Sequence, residues 1–403
     1  MKRISLFLLL FLLLKATVMY SQDGHPETNF RIVPVSPNAA SLGTFGMIPT
    51  DNYVGQANLT IPIYEIDLDG KKFPIALSYH TDGTRVAQEA TWIGLGWTLQ
   101  AGGCVVRQVQ GTDDFAARGC YNLTDAPWLT NPRFEVTDQN LEKYMGYFKG
   151  DYDAEPDMFY FNAGGHSGSM YFDVLKNNRQ LNAVPTIQTQ EKVVKMVYNT
   201  SNKTWTMTDL EGYVYSFSTK EITYYFLNTI DFFQTDITRS HIFPYYNEPQ
   251  IVTAWMLDSV TSPNGGKIMF SYKKESIFTP ISTTEDVISL SKIVNGQLSS
   301  QSPQYFTNKF NYNYSYSKIE QWTLSAITFE GGKVEFGTTD REDIESAETG
   351  KKVQKLSSIK VSDTAGNLIK TTMLEYKYLL SGMAATTNGY DDRLLLSKVY
   401  DVA

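Results

Sequence analysis

Residues 90–114, ATWIGLGWTLQAGGCVVRQVQGTDD, place two Trp, five Gly and one Cys in a stretch that alternates like a strand and then stops at two Asp. Gly94 and Gly96 bracket a position where a side chain would not fit, Leu95 and Leu99 are apolar, and Trp97 is large enough to plug a core. The chain then leaves through Gly102-Gly103 into CVVRQ. Up to Gly103 the segment carries no Cys, Ser or His to act as a nucleophile. It predicts a piece of architecture that seeds a sheet, with Trp97 largely buried and Gly94 or Gly96 either at positive φ or against another backbone.

Outward from it, the same style continues in both directions. On the N-terminal side, ANLTIPIYEIDLDGKKFPIALSYHTDGTRV alternates apolar and polar residues around Asp69-Gly70, and Asp82-Gly83 follows. Both dipeptides suit the positive φ of tight hairpin turns. On the C-terminal side, PDMFYFNAGGHSGSMYFD reads as a hairpin, and TWTMTDLEGYVYSFS, WMLDSVTSPNGGKIMFSY, WTLSAITFEGGKVEFG and KLSSIKVSDTAGNLIKTTMLEY each give a strand, a Gly turn and a return strand. With aromatic residues at 13% of 403 residues, the chain is read as all-β: repeated antiparallel hairpins in an extended, curved sheet assembly, with strands paired mostly to sequence neighbours.

The division into regions follows composition. Residues 1–21 have basic Lys2 and Arg3, an apolar run too short to span a bilayer, and small or polar residues around Ser21, the layout of a signal peptide. This expectation exports the mature chain to the periplasm, the cell surface or the medium, with no transmembrane span after cleavage. Residues 22–50 are punctuated by Pro and Gly and read as an extended lead-in. A β region carrying the GLGW motif covers 51–220, and hairpin repeats cover 221–403, with a polar Ser/Thr/Gln-rich surface insertion near 273–304. The one helix expected spans 138–149, where Asp138 caps a face of Leu141, Tyr144, Met145 and Phe148. The final stretch RLLLSKVYDVA starts a unit that lacks a return strand, which predicts unpaired backbone at the chain's end.

The charge balance, 43 acidic against 35 basic residues, disfavours phosphate backbones, so no nucleic-acid partner is expected. The spacing DLDGK lacks the ligand series of a calcium loop, and the four His residues lie far apart, so no metal, cofactor or catalytic residue is assigned. His166 stands in NAGGHSGS, which has the Gly content of a phosphate loop but neither its Lys nor a following helix. Asp113-Asp114 reads as a solvated turn that ends a strand, and Cys104 and Cys120 form either a disulfide or two separate thiols. Phe310, Tyr312, Tyr314 and Tyr316 share one strand face, suited either to burial or to stacking on sugar rings.

The run from LTIPIYEIDLDG to QGTDD resembles the start of Rhs and YD-repeat proteins and the related B-components of bacterial toxin complexes. Ile75, Leu77, Ser78 and Tyr79 match that family's P-I-x-L-S-Y element; Gly94, Leu95, Gly96, Trp97 and Leu99 match its G-L-G-W-x-L element; Val106 and Arg107 fit its G-x-V-x-R strand. The resemblance implies a shell of hairpins enclosing a toxin or effector polypeptide. This chain lacks the long YD-repeat run, the acidic self-cleavage motif and a variable toxin end, so it looks like an N-terminal part of such a protein, apparently truncated, with a downstream Rhs/YD-repeat or toxin polypeptide as the implied partner. The reading is therefore a non-enzymatic, exported shell segment. A secreted or surface binding module, for example for glycans, and then a hydrolase, are the alternatives.

Overall fold

The computed structural model describes residues 33–47, 58–80, 88–116, 119–121, 153, 155–173, 184–188, 194–230, 250–290, 293–294, 297–298, 307–379 and 392–402. The leader (1–21), the helix expected at 138–149 and the second Asp-Gly turn lie outside these residues.

The described elements are one helix, α1 (Pro37–Met47), and twenty strands: β1 (Asn58–Leu68), β2 (Lys71–His80), β3 (Trp97–Gln100), β4 (Gly103–Gln108), β5 (Met158–Ala163), β6 (His166–Tyr171), β7 (Thr186–Ile187), β8 (Val194–Asn199), β9 (Thr204–Asp209) and β10 (Val214–Ile230). Next come β11 (Gln250–Thr261), β12 (Lys267–Phe278), β13 (Ser282–Leu290), β14 (Ile293–Val294), β15 (Gln297–Leu298), β16 (Thr307–Phe329), β17 (Gly332–Asp340), β18 (Gln354–Ser362), β19 (Leu368–Leu379) and β20 (Arg393–Val402). The protein is an all-β, antiparallel assembly, in agreement with the alternation in its sequence.

The hairpin turns form where Gly or Asp permits a left-handed backbone. Asp69 (φ 52°) and Gly70 (φ 90°) join β1 to β2 with the two positive φ angles that match strand twist. Gly164 (φ 59°) and Gly165 (φ 83°) do the same between β5 and β6, so NAGGHSGS is the tip of a hairpin, a two-residue turn with strand on either side. β1, β2 and β3 make a small sheet; fifteen strands make a large one whose main path runs β20-β19-β18-β17-β16-β10-β11-β4-β5-β6-β7. Between the two sheets lies a core that takes Ile66, Ile75, Leu77 and Leu99 from the small one and Phe159, Trp205, Tyr215, Trp255, Ile327 and Leu356 from the large one. Its centre is aromatic: Trp205 stacks on Phe172 at 5.6 Å and meets Tyr198 at 4.8 Å.

The described structure corrects several expectations. The expected boundary at 220/221 falls inside β10, and β4 pairs with β11 through Cys104 to Val106, so one sheet unites the two regions. Most strands pair with their sequence neighbours, as expected, and the exceptions centre on the 23-residue β16, which pairs with β10, β12 and β13 besides β17. Of the polar stretch expected as an insertion, 273–278 belongs to β12 and 282–290 is β13, because its Thr, Val and Ile residues suit a pleated surface and β13 pairs with β16 over nine positions. The lead-in is helical over Pro37–Met47: Ser36 caps it, its Oγ accepting from Ala39 N at 3.2 Å, and Pro37 occupies the first turn, where no backbone donor is lost. Finally, β20 is paired on one side by the preceding strand, β19, from Thr371↔Val402 to Leu379↔Arg393, so the unpaired backbone expected at this strand is confined to its other side.

Candidate functional site

The GLGW segment folds around Thr91. Its hydroxyl donates to the carbonyls of Trp97 (2.7 Å) and Gly94 (3.1 Å), while the Thr91 carbonyl accepts from Gly94 N at 3.0 Å. Gly94 (φ 119°) and Gly96 (φ 75°) both have the backbone expected of them. A methyl group on Gly94 would lie 2.9 Å from the backbone nitrogen of Leu396 in β20. The motif is thus pressed against the start of the last strand, and Leu95 N donates to the Leu394 carbonyl at 2.8 Å.

A buried ion pair holds this junction. Arg341 grips Asp343 through Nε (2.8 Å) and a second nitrogen (2.7 Å), and also donates to the carbonyls of Thr91 (3.0 Å) and Ala90 (3.2 Å). Asp343 accepts from Leu394 N at 3.0 Å, and Arg393 donates to the Gln88 carbonyl at 2.9 Å. Paired and hydrogen-bonded in this way, the charges avoid the penalty of lone buried ions.

The motif's residues are placed as follows. Leu95 packs with Ala90 and Leu394, and Leu99 enters the main core. Trp97 is only half-buried, not the plug expected: as the first residue of β3 it rests on Tyr79, ring centres 5.2 Å apart, at the rim of the small sheet. Trp92 is the plug instead, 6% exposed, its ring 6.4 Å from Phe336 and its carbonyl accepting from Leu356 N. The DRED run at 340–343 was the sole sequence signal for the ion pair, and it carries no address for its distant partners.

Asp113 and Asp114 also differ from expectation. Arg107, fully buried on β4, donates to Asp157 through Nε at 2.8 Å and forms ion pairs with Asp157 and Asp113, its guanidinium 4.7 Å from the Phe115 ring. Burial opposes the Arg107 charge, and the two carboxylates outweigh it. Asp114 is buried too, with its carboxylate accepting from Asp157 N at 2.6 Å. Burial, and then the Asp157 charge, push its carboxyl up to about 8. Asp153, held by Thr112 N and Glu155 N, is pushed to about 6, chiefly by burial. The cluster ties the loop after β4 to the entry of β5.

A third constellation gathers hairpin turns. Lys71 Nζ lies 2.5 Å from Asp209 and 3.0 Å from Glu211, its ammonium 4.9 Å from the Tyr213 ring. Asp209 also accepts from Tyr215 OH (3.1 Å) and Tyr213 N (2.9 Å), and His166 Nε2 stands 3.8 Å away. Burial alone would lower the Lys71 pKa, but its carboxylate partners raise it. His166 is the described histidine with a placed side chain; His25 and His241 lie outside the described residues.

Cys104 and Cys120 are separate thiols. Cys104 faces α1 with Val106, whereas Val105 and Arg107, on the opposite side of β4, face the main core region near Cys120. Burial raises both, Cys120 to about 12. Tyr314 (2% exposed) and Tyr316 (8%) of the aromatic ladder are buried with Phe226; the side chains of Phe310 and Tyr312 lie outside the described residues. Among the described residues no group of His, Cys, Asp and Glu is arranged to hold a metal ion, and no helix is long and apolar enough to cross a membrane.

No family model matches the chain, and no curated protein does. Among solved structures it is similar to the N-terminal domain of the effector protein SpvB from Salmonella typhimurium strain LT2, at 12% identity and a TM-score of 0.38, over 86% of this chain and 99% of that one. It is also similar to the Photorhabdus luminescens Tc holotoxin pore, at 10% identity and a TM-score of 0.38, over 92% of this chain and 15% of that one. A complex of TcdB2, TccC3 and Cdc42 matches at 10% identity and a TM-score of 0.35, over 86% of this chain and 15% of that one.

Proposed function

We propose that the chain is a non-enzymatic, exported structural segment that extends its sheet onto, or around, a second polypeptide. The observation that carries this reading is the edge of the large sheet. β20 pairs with β19 on one side, and on the other only its start is covered, by the GLGW junction; among the described residues no strand pairs with Ser397–Val402 from outside. Leu368, Ile369, Leu379 and Val402, half of the exposed large apolar side chains among the described residues, lie on these two outermost strands. An open backbone edge flanked by exposed apolar side chains is a template for strand addition.

The polar constellations support a structural role, because each ties separate chain segments together: Arg341 with Asp343 at the GLGW junction, Arg107 with Asp157 at the β4–β5 connection, and Lys71 with Asp209 among the hairpin turns. The burial of Tyr314 and Tyr316 favours this reading over a glycan-binding module built on the aromatic ladder. Co-expression with the polypeptide encoded immediately downstream tests it. A tagged mature chain is expected to retain that polypeptide through size-exclusion chromatography and to shield it from protease; separate elution, with the chain monomeric in light scattering at high concentration, would remove the proposal.

A further inference from the structure

The segment from Val33 to Leu42 crosses a face of the large sheet. Two small apolar contacts seat it: Val33 is buried with Val109 and Ile251, and Ala39 on Cys104, Val106, Ala254 and Met256, which Val35 and Leu42 only partly cover. A cavity of about 40 Å³ remains beneath it, lined in part by Ala39, Leu42, Met256 and Trp322. Polar contacts hold most of it. Thr223 Oγ1 donates to the Pro34 carbonyl at 3.0 Å, Asn162 Nδ2 to the Leu42 carbonyl at 2.9 Å, and Trp92 N to Asn38 Oδ1 at 2.9 Å. At the centre, Ser36 N donates to Glu221 Oε1 at 2.8 Å.

Glu221 is fully buried in the middle of β10 and makes no ion pair among the described residues. Oε1 also accepts from Thr253 Oγ1 at 3.1 Å, whereas Oε2 has no hydrogen-bond partner among the described residues. The groups facing it are neutral: β11 presents Thr253, β4 presents the Cys104 thiol, which burial keeps protonated, and Val33–Met47 contains no charged residue; a second buried acid, Glu275, reaches this segment only through Gln321 of β16 and Asn38, and the Glu221→Gln comparison separates the two. Burial raises the carboxyl above its ordinary range, and the Ser36 and Thr253 hydrogen bonds only partly offset this.

We infer that Val33–Leu42, with the helix it begins, is a strap that lifts off the sheet as a unit and that ionisation of Glu221 releases it. A carboxylate formed there would have only neutral donors, from Ser36 and Thr253, and no cation, and lifting the strap would bring it water. The sign follows from the raised carboxyl: the closed strap is most stable below the ordinary carboxylate range and loses stability as pH rises toward the value of the buried group.

Cys104, which lies under the Ala39 carbonyl, reports opening. In a Cys120→Ser background it is the one thiol left in the chain, and its labelling by a soluble disulfide reagent under native conditions can be compared between Glu221 and Glu221→Gln. The ratio of the two rates cancels the reagent's own pH dependence and is expected to rise with pH by up to about tenfold per unit, the slope of one proton. A flat ratio would overturn the inference, as would labelling that requires global unfolding. Should Glu221→Gln not fold, hydrogen exchange of the unsubstituted chain decides: after correction for intrinsic rates, protection is expected to fall with pH in 33–42 and not in β11, and an equal fall in both, or in neither, would refute it.

Discussion

Adding one methyl group at Gly94 tests the junction that joins the sequence motif to the last strand. Gly94 sits at φ 119°, where a side chain is strained, at a cost of about 1–3 kcal/mol. The new methyl would also lie 2.9 Å from Leu396 N and 3.4 Å from the Leu394 carbonyl oxygen, both backbone atoms that cannot rotate away. Separating them resembles overpacking, about 1–3 kcal/mol more. Gly94→Ala should therefore cost about 2–6 kcal/mol. Gly70→Ala provides the control: Gly70 has φ 90° but open space around it, so its cost should stay within about 1–3 kcal/mol. Urea denaturation followed by Trp fluorescence measures both, and hydrogen exchange locates the damage, which should fall on 393–396. Equal costs for the two variants, or unchanged exchange in β20, would refute the docking of GLGW on the sheet edge.

Other substitutions separate core from rim. Trp92→Ala should cost about 3–5 kcal/mol as a core truncation, and Trp97→Ala clearly less; the reverse order in urea melts would contradict the assignment of Trp92 as the plug. Arg107→Met leaves Asp157 buried without its cation and should cost about 3–5 kcal/mol, with part of the loss recovered by adding Asp157→Asn; no recovery would mean that the pair is not what holds the β4–β5 connection. Glu275, buried on β12 and hydrogen-bonded by Gln321 at 3.4 Å, is pushed by burial to about 7. A raised acid contributes stability that is present below the ordinary carboxylate range and is lost as pH rises through about 7. Glu275→Gln should flatten that part of the stability curve, and an unchanged slope would exclude Glu275 as its source. Because both thiols are free, the intact mass of the native protein should not change on reduction.

Much of the fold is legible because its signals are local. Asp69-Gly70 and Gly164-Gly165 announce turns through residues that tolerate positive φ, and alternation marks the strands on either side. The suppression of side chains at Gly94 and Gly96 was legible for the same reason; what they were making room for was not. Leu396 lies some three hundred residues away in sequence, and neither β4 against β11 nor β10 against β16 has a local marker. Helix α1 was hidden by Gly43 and Gly46, which weaken helix propensity; its cap on Ser36 and its anchor on Glu221 are made by the tertiary structure. Asp113 and Asp114 read as solvated because a carboxylate usually is, and only the fold brings Arg107 to them. The strand character of 282–284 was masked by polar residues that face solvent.

The most direct test of a structural, sheet-extending role is hydrogen exchange at the outer edge of β20. Backbone amides in Ser397–Val402 should exchange faster than those of β18 and β19 in the isolated chain, and should slow markedly once the chain is purified together with the polypeptide encoded downstream. Unchanged exchange in 397–402 within a verified complex would contradict strand addition at this edge.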